Sequence, residues 1–280
     1  MAGVLYIDTS FTKIVVKPVH PTFGAEVQVS DWNNLDDDAI REISSAANKY
    51  GFCIFRNTGL DDKGHVEFSL RLGDLDNMKR FITGERKLRY PYFELFDAGN
   101  IADDGSLLDP ESPRGHTNRL SSTWFPEYFK NLDPSKFPMA RHRLAQIHEG
   151  SGRVNLYVGA HLHHIEGLPD DESTRLRDTL NKHVTQPKYV YTFHWEQPGD
   201  IIMWDNRALL HRAMGGSFAG KYRRDLRRTT VHDDSASAWG LNDTEGATGL
   251  GYQLTAKTLD TPEVTPATST AAPVAVTAAS

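Results

Sequence analysis

Two stretches decide how this chain is read: Trp204-Asp205-Asn206-Arg207-Ala208-Leu209-Leu210-His211-Arg212, and shortly after it Tyr222-Arg223-Arg224-Asp225-Leu226-Arg227-Arg228-Thr229-Thr230-Val231. The first ends an apolar run on a single histidine, and the second packs four arginines into six positions. A neutral imidazole is a common ligand for Fe, Zn, Cu or Ni. A guanidinium is the natural clamp for a carboxylate. Ile201-Ile202-Met203-Trp204 reads as a strand entered from the turn Gln197-Pro198-Gly199-Asp200, and Leu226–Val231 reads as a further strand. Asp205 and Asn206 follow the first strand, where their side chains fix a turn through backbone hydrogen bonds. Trp204 reads as core. Arg223 and Arg227 alternate with Arg224 and Arg228 only in part, so some of the four are solvated surface charges, and Arg212 is open between the two readings.

Working outward, the second half alternates short strands with turns. Val154–Gly159 is one strand, and Tyr189–Trp195, aromatic and β-branched, is another. Pro169–His183 is a helix with Leu176, Leu180 and His183 on one face. The first half reads β, α, β. Lys13–Val19 is β-branched, Asp36-Asp37-Asp38 opens a helix whose apolar face is Ile40, Ile43, Ala46 and Ala47, and Lys49-Tyr50-Gly51 closes it. Phe52-Cys53-Ile54-Phe55 is a buried strand, and Asp61–Leu72 a second helix with His65, Phe68 and Leu72 packed together. Asp97–Ser122 is Asp-, Gly-, Ser- and Pro-rich and reads mostly as loop. The fold class expected is mainly β with flanking helices: a sandwich or jelly roll.

Composition narrows the function. The 280 residues carry a formal net charge of -6, which argues against general nucleic-acid binding. No apolar run approaches the roughly 18 residues of a membrane span. Met1–Ser10 has no basic region followed by an apolar core, so no signal peptide is expected. The single cysteine, Cys53, lies in an apolar run and reads as a buried thiol, and the setting expected is reducing and cytoplasmic. Residues 1–253 are read as one domain. Residues 254–280, rich in Thr, Ala and Pro, cannot bury enough surface to offset ordering and are expected to be disordered.

The ordered series His20–Val27, Tyr50–Arg56, Gly159-Ala160-His161 with His164, Glu166-Gly167-Leu168-Pro169, Thr185-Gln186-Pro187 and Trp204-Asp205-Asn206-Arg207 resembles the taurine and 2,4-dichlorophenoxyacetate dioxygenases that use Fe(II) and 2-oxoglutarate. The resemblance spans residues 13–232. It implies a double-stranded β-helix, an iron site, 2-oxoglutarate as co-substrate, dioxygen and a small-molecule substrate. It assigns the distal iron-ligating histidine to His211. It assigns the arginine for the far carboxylate of 2-oxoglutarate to Arg224, with Arg228 as a second carboxylate-side arginine.

One departure from the family pattern stands out. The family's His-x-Asp pair, the other two ligands of a facial triad, has no intact counterpart upstream of His211. The nearest stretch is Gly115-His116-Thr117-Asn118. In one reading His116 is the first iron ligand, with Asn118 in the carboxylate position. In the other, which we favour, Gly115-His116-Thr117 matches a later segment whose threonine, here Thr117, touches 2-oxoglutarate. Pro113-Arg114 resembles family sequence well before the iron motif and Phe125–Lys130 sequence well after it, so the β-helix is expected to be incomplete. His161 and His163, placed two apart on a strand, offer an alternative chelating pair. The resemblance instead sets them in a barrel loop, with structural or substrate-lining roles.

The function implied is Fe(II)- and 2-oxoglutarate-dependent oxidation, by hydroxylation or a related step, of a small carboxylate-bearing molecule. The alternative is a catalytically impaired or non-catalytic relative, or a truncated reading of the gene, and the residues alone leave catalysis and oligomeric state open. Truncation after residue 253 is expected to leave the thermal unfolding midpoint nearly unchanged; a marked fall would show that the tail packs on the domain.

Overall fold

The structure is a computed structural model that describes residues 6–79, 88–102, 104–109, 140–159, 161–214 and 220–242. His116, Thr117, Asn118 and the 254–280 tail lie outside the described residues.

The organising unit is a four-stranded sheet in the order β1-β2-β3-β7, built from β1 (Val15–Pro18), β2 (Ala25–Gln28), β3 (Phe52–Phe55) and β7 (Ile201–Trp204). β2 and β3 are parallel and are joined by helix α1 (Asp37–Tyr50), which covers one face. Helix α1 forms where the sequence predicts it. The Asp36 carboxylate accepts the Ala39 N–H at 2.7 Å, Asp37 and Asp38 face the positive end of the dipole, and Gly51 ends the helix at φ +79°. A side chain at Gly51 would be strained by that φ and would meet Leu209 at about 3.0 Å.

Strand parity divides β3. Cys53 and Phe55 join Val16, Ala25, Val27, Ile40, Ile43 and Ala46 in the core under α1, while Phe52 points the other way, onto Tyr191. Phe55 and Phe68, the latter on helix α2 (Asp62–Leu70), make edge-to-face contacts with Trp32 at 5.2 Å each. In β7, Ile201 and Met203 pack on this same core.

Two further pairs complete the sheets. β4 (Phe96–Asp97) pairs with β8 (Arg227–Arg228), and β5 (Ala145–His148) with β6 (Arg153–Leu156). Helix α3 (Asp170–Val184) lies where the apolar spacing sets it.

Three expectations need correction. Tyr189–Trp195 is not a strand: a single 3-10 turn, Pro187–Tyr189, is followed by irregular backbone. Its aromatics are used as packing instead, Tyr191 on Phe52 and Phe193 between Trp195 and the Arg56 guanidinium, because β propensity becomes a strand only where a ladder partner is present. The Val154–Gly159 strand stops at Leu156, where pairing with β5 ends, and residues 157–159 and 161–165 have no strand. His183, read on one helix face with Leu176 and Leu180, is exposed where those two are half-buried, and His194 is exposed as well.

Burial pushes the Cys53 thiol up to about 12. It is therefore expected to resist thiol reagents at neutral pH until the chain unfolds, and rapid labelling of native protein would contradict this packing. Phe55→Ala should destabilise by about 3–5 kcal/mol, read from chemical denaturation.

Candidate functional site

β7 delivers the site stretch. Its last residue, Trp204, pairs with Phe52, and the chain then turns sharply. Asp205 makes the turn: its carboxylate accepts the Arg207 N–H at 2.8 Å, and its carbonyl accepts the N–H groups of Ala208 and Leu209. Asn206 accepts the Trp204 indole N–H at 2.8 Å. Beyond the turn, His211 returns so that its ring lies 4.7 Å from that of Trp204, tilted by 50°. Trp204, half-buried, therefore stacks on the candidate ligand as well as packing on the sheet. Loss of hydration, and then the positive charge of Arg228, hold the His211 pKa below the ordinary histidine value. That direction favours the neutral ring, the form that binds a metal.

The arginines separate by strand parity. β8 pairs with β4 through Phe96↔Arg228 and Asp97↔Arg227, and the ladder runs on through Ala98 N–H to the Leu226 carbonyl and Asn100 N–H to the Arg224 carbonyl, each 2.9 Å. Gly99 allows this approach, since a Cβ there would sit 2.2 Å from the Arg224 carbonyl oxygen. Arg224, Leu226 and Arg228 thus share one face, and Asp225 and Arg227 the other.

The second face is charge-paired throughout. Arg227 binds Asp62 at 2.8 Å, Arg89 bridges Asp97 and Asp225, and the Tyr90 hydroxyl donates to Asp225. The first face is not. Arg224 is half-buried, donates to the Ala98 carbonyl at 2.8 Å, and has no carboxylate partner among the described residues; burial lowers its pKa. Arg228 lies over the Phe96 ring at 5.1 Å, also without a carboxylate among the described residues. Arg223 donates to the Gly105 carbonyl at 2.9 Å. Among the described residues Arg224 and Arg228 thus have no carboxylate partner on this face, and Arg228 is the one whose charge reaches His211.

The structure brings His211 within electrostatic reach of Arg228, and puts Arg224 on the same face as Arg228. His161, His163 and His164 instead line a separate cavity of about 370 Å³ with Asp170, Ser173, Thr174 and Arg177; neither His211 nor Arg224 is among its walls. Glu166, the nearest acid in sequence, is taken by Arg141 in a two-pronged pair at 2.7 and 2.8 Å. Among the described residues no three His, Cys, Asp or Glu side chains converge as a metal site. Sequence reasoning missed His148, whose buried ring meets the Asp205 carboxylate at 2.9 Å. Its turn-rich surroundings, Glu149-Gly150-Ser151-Gly152, carry no signal of a partner so distant in sequence. Arg207, then His148, hold the Asp205 carboxyl down to about 2, against the effect of burial.

The model of the taurine catabolism dioxygenase TauD, TfdA family matches this chain over residues 16–106 and 94–230. The chain belongs to this family. The (S)-phenoxypropionate/alpha-ketoglutarate-dioxygenase of Sphingobium herbicidovorans is 43% identical over 286 residues, covering 81% of this chain and 97% of that protein. The alpha-ketoglutarate-dependent 2,4-dichlorophenoxyacetate dioxygenase of Cupriavidus pinatubonensis is 27% identical over 288 residues, covering 79% of this chain and 99% of that protein. The crystal structure of AAD-2 in complex with Mn(II) and N-oxalylglycine superposes with a TM-score of 0.65 at 23% identity, over 79% of this chain and 98% of that one, a likeness of fold. Fe(II) and 2-oxoglutarate are the metal and co-substrate of the TauD, TfdA family. The 288 aligned positions of the Cupriavidus protein exceed the about 221 residues that 79% of 280 supplies here, so the alignment holds about 67 positions without a residue of this chain. No described helix is long and apolar enough to cross a membrane.

The described residues fit the co-substrate better than the metal. Arg224 and Arg228 have the chemistry to bind carboxylates, while the candidate metal ligand among the described residues is the single imidazole of His211. The Arg228 charge sets a pH test. Arg228→Gln should raise the His211 pKa, seen by NMR titration of its ring protons, whereas an unchanged value would separate the two residues. Because the His211 pKa is lowered on folding, the unfolded chain takes up more protons below the ordinary histidine value near 6.5, and this group's contribution makes the fold less stable as pH falls through that range.

Proposed function

We propose that this chain catalyses Fe(II)- and 2-oxoglutarate-dependent oxidation, by hydroxylation or a related step, of a small carboxylate-bearing molecule, on a double-stranded β-helix shortened in its middle. The observation that carries the reading is the unpaired arginine face beside His211. On one side Asp225 and Arg227 are paired with charges, while on the other Arg224 and Arg228 have no carboxylate partner among the described residues, the pattern expected where ligand carboxylates complete the pairing. In this reading Arg224 clamps the far carboxylate of 2-oxoglutarate, Thr117 adds a hydrogen bond to it, and Arg228 takes a second carboxylate. The relatives named for phenoxypropionate and 2,4-dichlorophenoxyacetate support a carboxylate-bearing substrate.

His211 would hold the iron, joined by His116 only in the alternative register, in which His116 rather than Thr117 is the working residue of Gly115-His116-Thr117. The chemistry iron and 2-oxoglutarate supply together is reduction of dioxygen coupled to oxidation of the keto acid to succinate and carbon dioxide. The protein's part is to hold the keto acid by its carboxylate, orient the substrate and keep water out. Asn118, where a family member has a carboxylate, gives a neutral oxygen that does not offset the metal's charge, so Fe(II) should bind weakly.

Anaerobic titration with Fe(II) and 2-oxoglutarate, followed by the visible charge-transfer band of the chelate, tests the reading. Arg224→Leu should weaken 2-oxoglutarate binding by tenfold or more, and His211→Ala should abolish the band. If His116 is a ligand, His116→Ala abolishes it as well and Asn118→Asp strengthens it. If Thr117 alone contributes, His116→Ala is neutral and Thr117→Val weakens 2-oxoglutarate binding. Absence of both metal and 2-oxoglutarate binding in the native chain would favour a non-catalytic relative and defeat the proposal.

A further inference from the structure

Beneath the His211 arm lies a polar knot that the carboxylate-binding face does not use. The His148 ring, at the end of β5, is fully shielded from solvent and engaged at both nitrogens: Nε2 lies 2.9 Å from Asp205 Oδ2, and Nδ1 lies 2.7 Å from Ser151 Oγ. An ionised carboxylate only accepts, so the proton on Nε2 points to Asp205. Asp205 is otherwise held by its own turn. Its carboxylate takes the Arg207 N–H and guanidinium, its carbonyl takes the Ala208 and Leu209 N–H groups, and its own N–H donates to the Gly51 carbonyl at 2.9 Å. Arg207 reaches on to Asp233 at 3.0 Å. Asp205, which closes the turn into His211, is thus held by Gly51 just before β3 and by a buried imidazole from the β5–β6 hairpin, while its partner Arg207 is tied to Asp233 after β8.

We propose that His148 is a positioning residue for His211: by fixing the Asp205 carboxylate it sets the turn Asp205–Leu209 and with it the place of the His211 imidazole against Trp204. The inference rests on the reading of His211 as an iron ligand. A buried polar pair of this kind is a poor source of stability, since apolar replacements are often as stable, but it admits one geometry where an apolar contact admits several. Partners behind a metal ligand commonly change metal affinity by 10- to 100-fold when removed. His148 acts one step further back, through Asp205, so the lower end of that range is expected.

The test uses the full, metal-free chain and the ring protons of His211 in NMR spectra, assigned with His211→Gln. Stacking on Trp204 gives these protons a ring-current shift. His148→Leu and His148→Phe should move them toward the values of an unstacked histidine, and His148→Gln, which keeps an N–H donor, should restore them. With Fe(II) and 2-oxoglutarate added, affinity should fall about tenfold in the apolar variants and recover in His148→Gln. Unmoved His211 signals in a folded apolar variant would overturn the proposal, leaving His148 a structural residue only. If neither apolar variant folds, Ser151→Ala, which releases only Nδ1, carries the test: displaced His211 signals support positioning and unmoved ones overturn it. If the native chain takes up no Fe(II) while the His211 signals still respond to His148, the ligand reading fails and the positioning stands.

Discussion

The antiparallel ladder between β3 and β7 is the contact on which the site depends. It joins Phe52–Phe55 to Ile201–Trp204, stretches about 150 residues apart in sequence. Closing so long a loop is costly, but the cost rises only slowly with length, by roughly 0.6 kcal/mol per doubling. What offsets it is burial of β3 on both faces, Cys53 and Phe55 under α1 and Phe52 against Tyr191. The ladder continues past its last residue pair through Asp205 N–H to the Gly51 carbonyl. The single glycine between α1 and β3 therefore also anchors the turn that leads to His211. Core packing in the first half of the chain and ligand placement in the second are one problem, solved at Gly51.

The second constraint is the two-residue period of a strand applied to charge. Arg-Arg-Asp-Leu-Arg-Arg is a dense basic cluster in sequence, and composition alone cannot say which arginines serve a ligand. Pairing with β4 sorts them. Asp225 and Arg227 turn to a face already carrying Asp62, Arg89 and Asp97, and are neutralised there. Arg224 and Arg228 turn to the face that holds Phe96 and Ala98 and no described carboxylate.

The sequence made some of this legible. Helix α1 could be placed because its signals are local: an aspartate cap, acidic residues in the first turn, apolar residues at helical spacing and a closing glycine. The same holds for α2, whose Asp61 carboxylate accepts the Gly64 N–H at 2.8 Å, and for β3 and β7, whose apolar runs are unbroken. His211, Arg224 and Arg228 follow from the order of motifs, and parity explains why Arg227 meets a carboxylate while Arg224 and Arg228 meet none among the described residues. What was not legible is what depends on distant partners. Tyr189–Trp195 has strand composition but no ladder among the described residues. β5 was invisible because Ala145-Gln146-Ile147-His148 is too short and mixed to signal a strand without Arg153–Leu156 opposite it. His148 gives no local hint that its ring closes on Asp205.

The unpaired arginine face and the His148–Asp205 pair are opposite uses of a buried charge. At Asp205 the charge is satisfied inside the protein by Arg207, His148 and the backbone, leaving nothing for a ligand, and what the arrangement yields is a fixed geometry. At Arg224 the charge is half-buried and, among the described residues, answered by the Ala98 carbonyl and no carboxylate, an electrostatic cost that a bound carboxylate would remove in the proposed reading. Rigidity is therefore invested behind the candidate ligand and unmet charge in front of it. In the proposed reading an anion would be held in one orientation, because the groups behind the ligand are already paired and Arg224 and Arg228 have no carboxylate partner among the described residues.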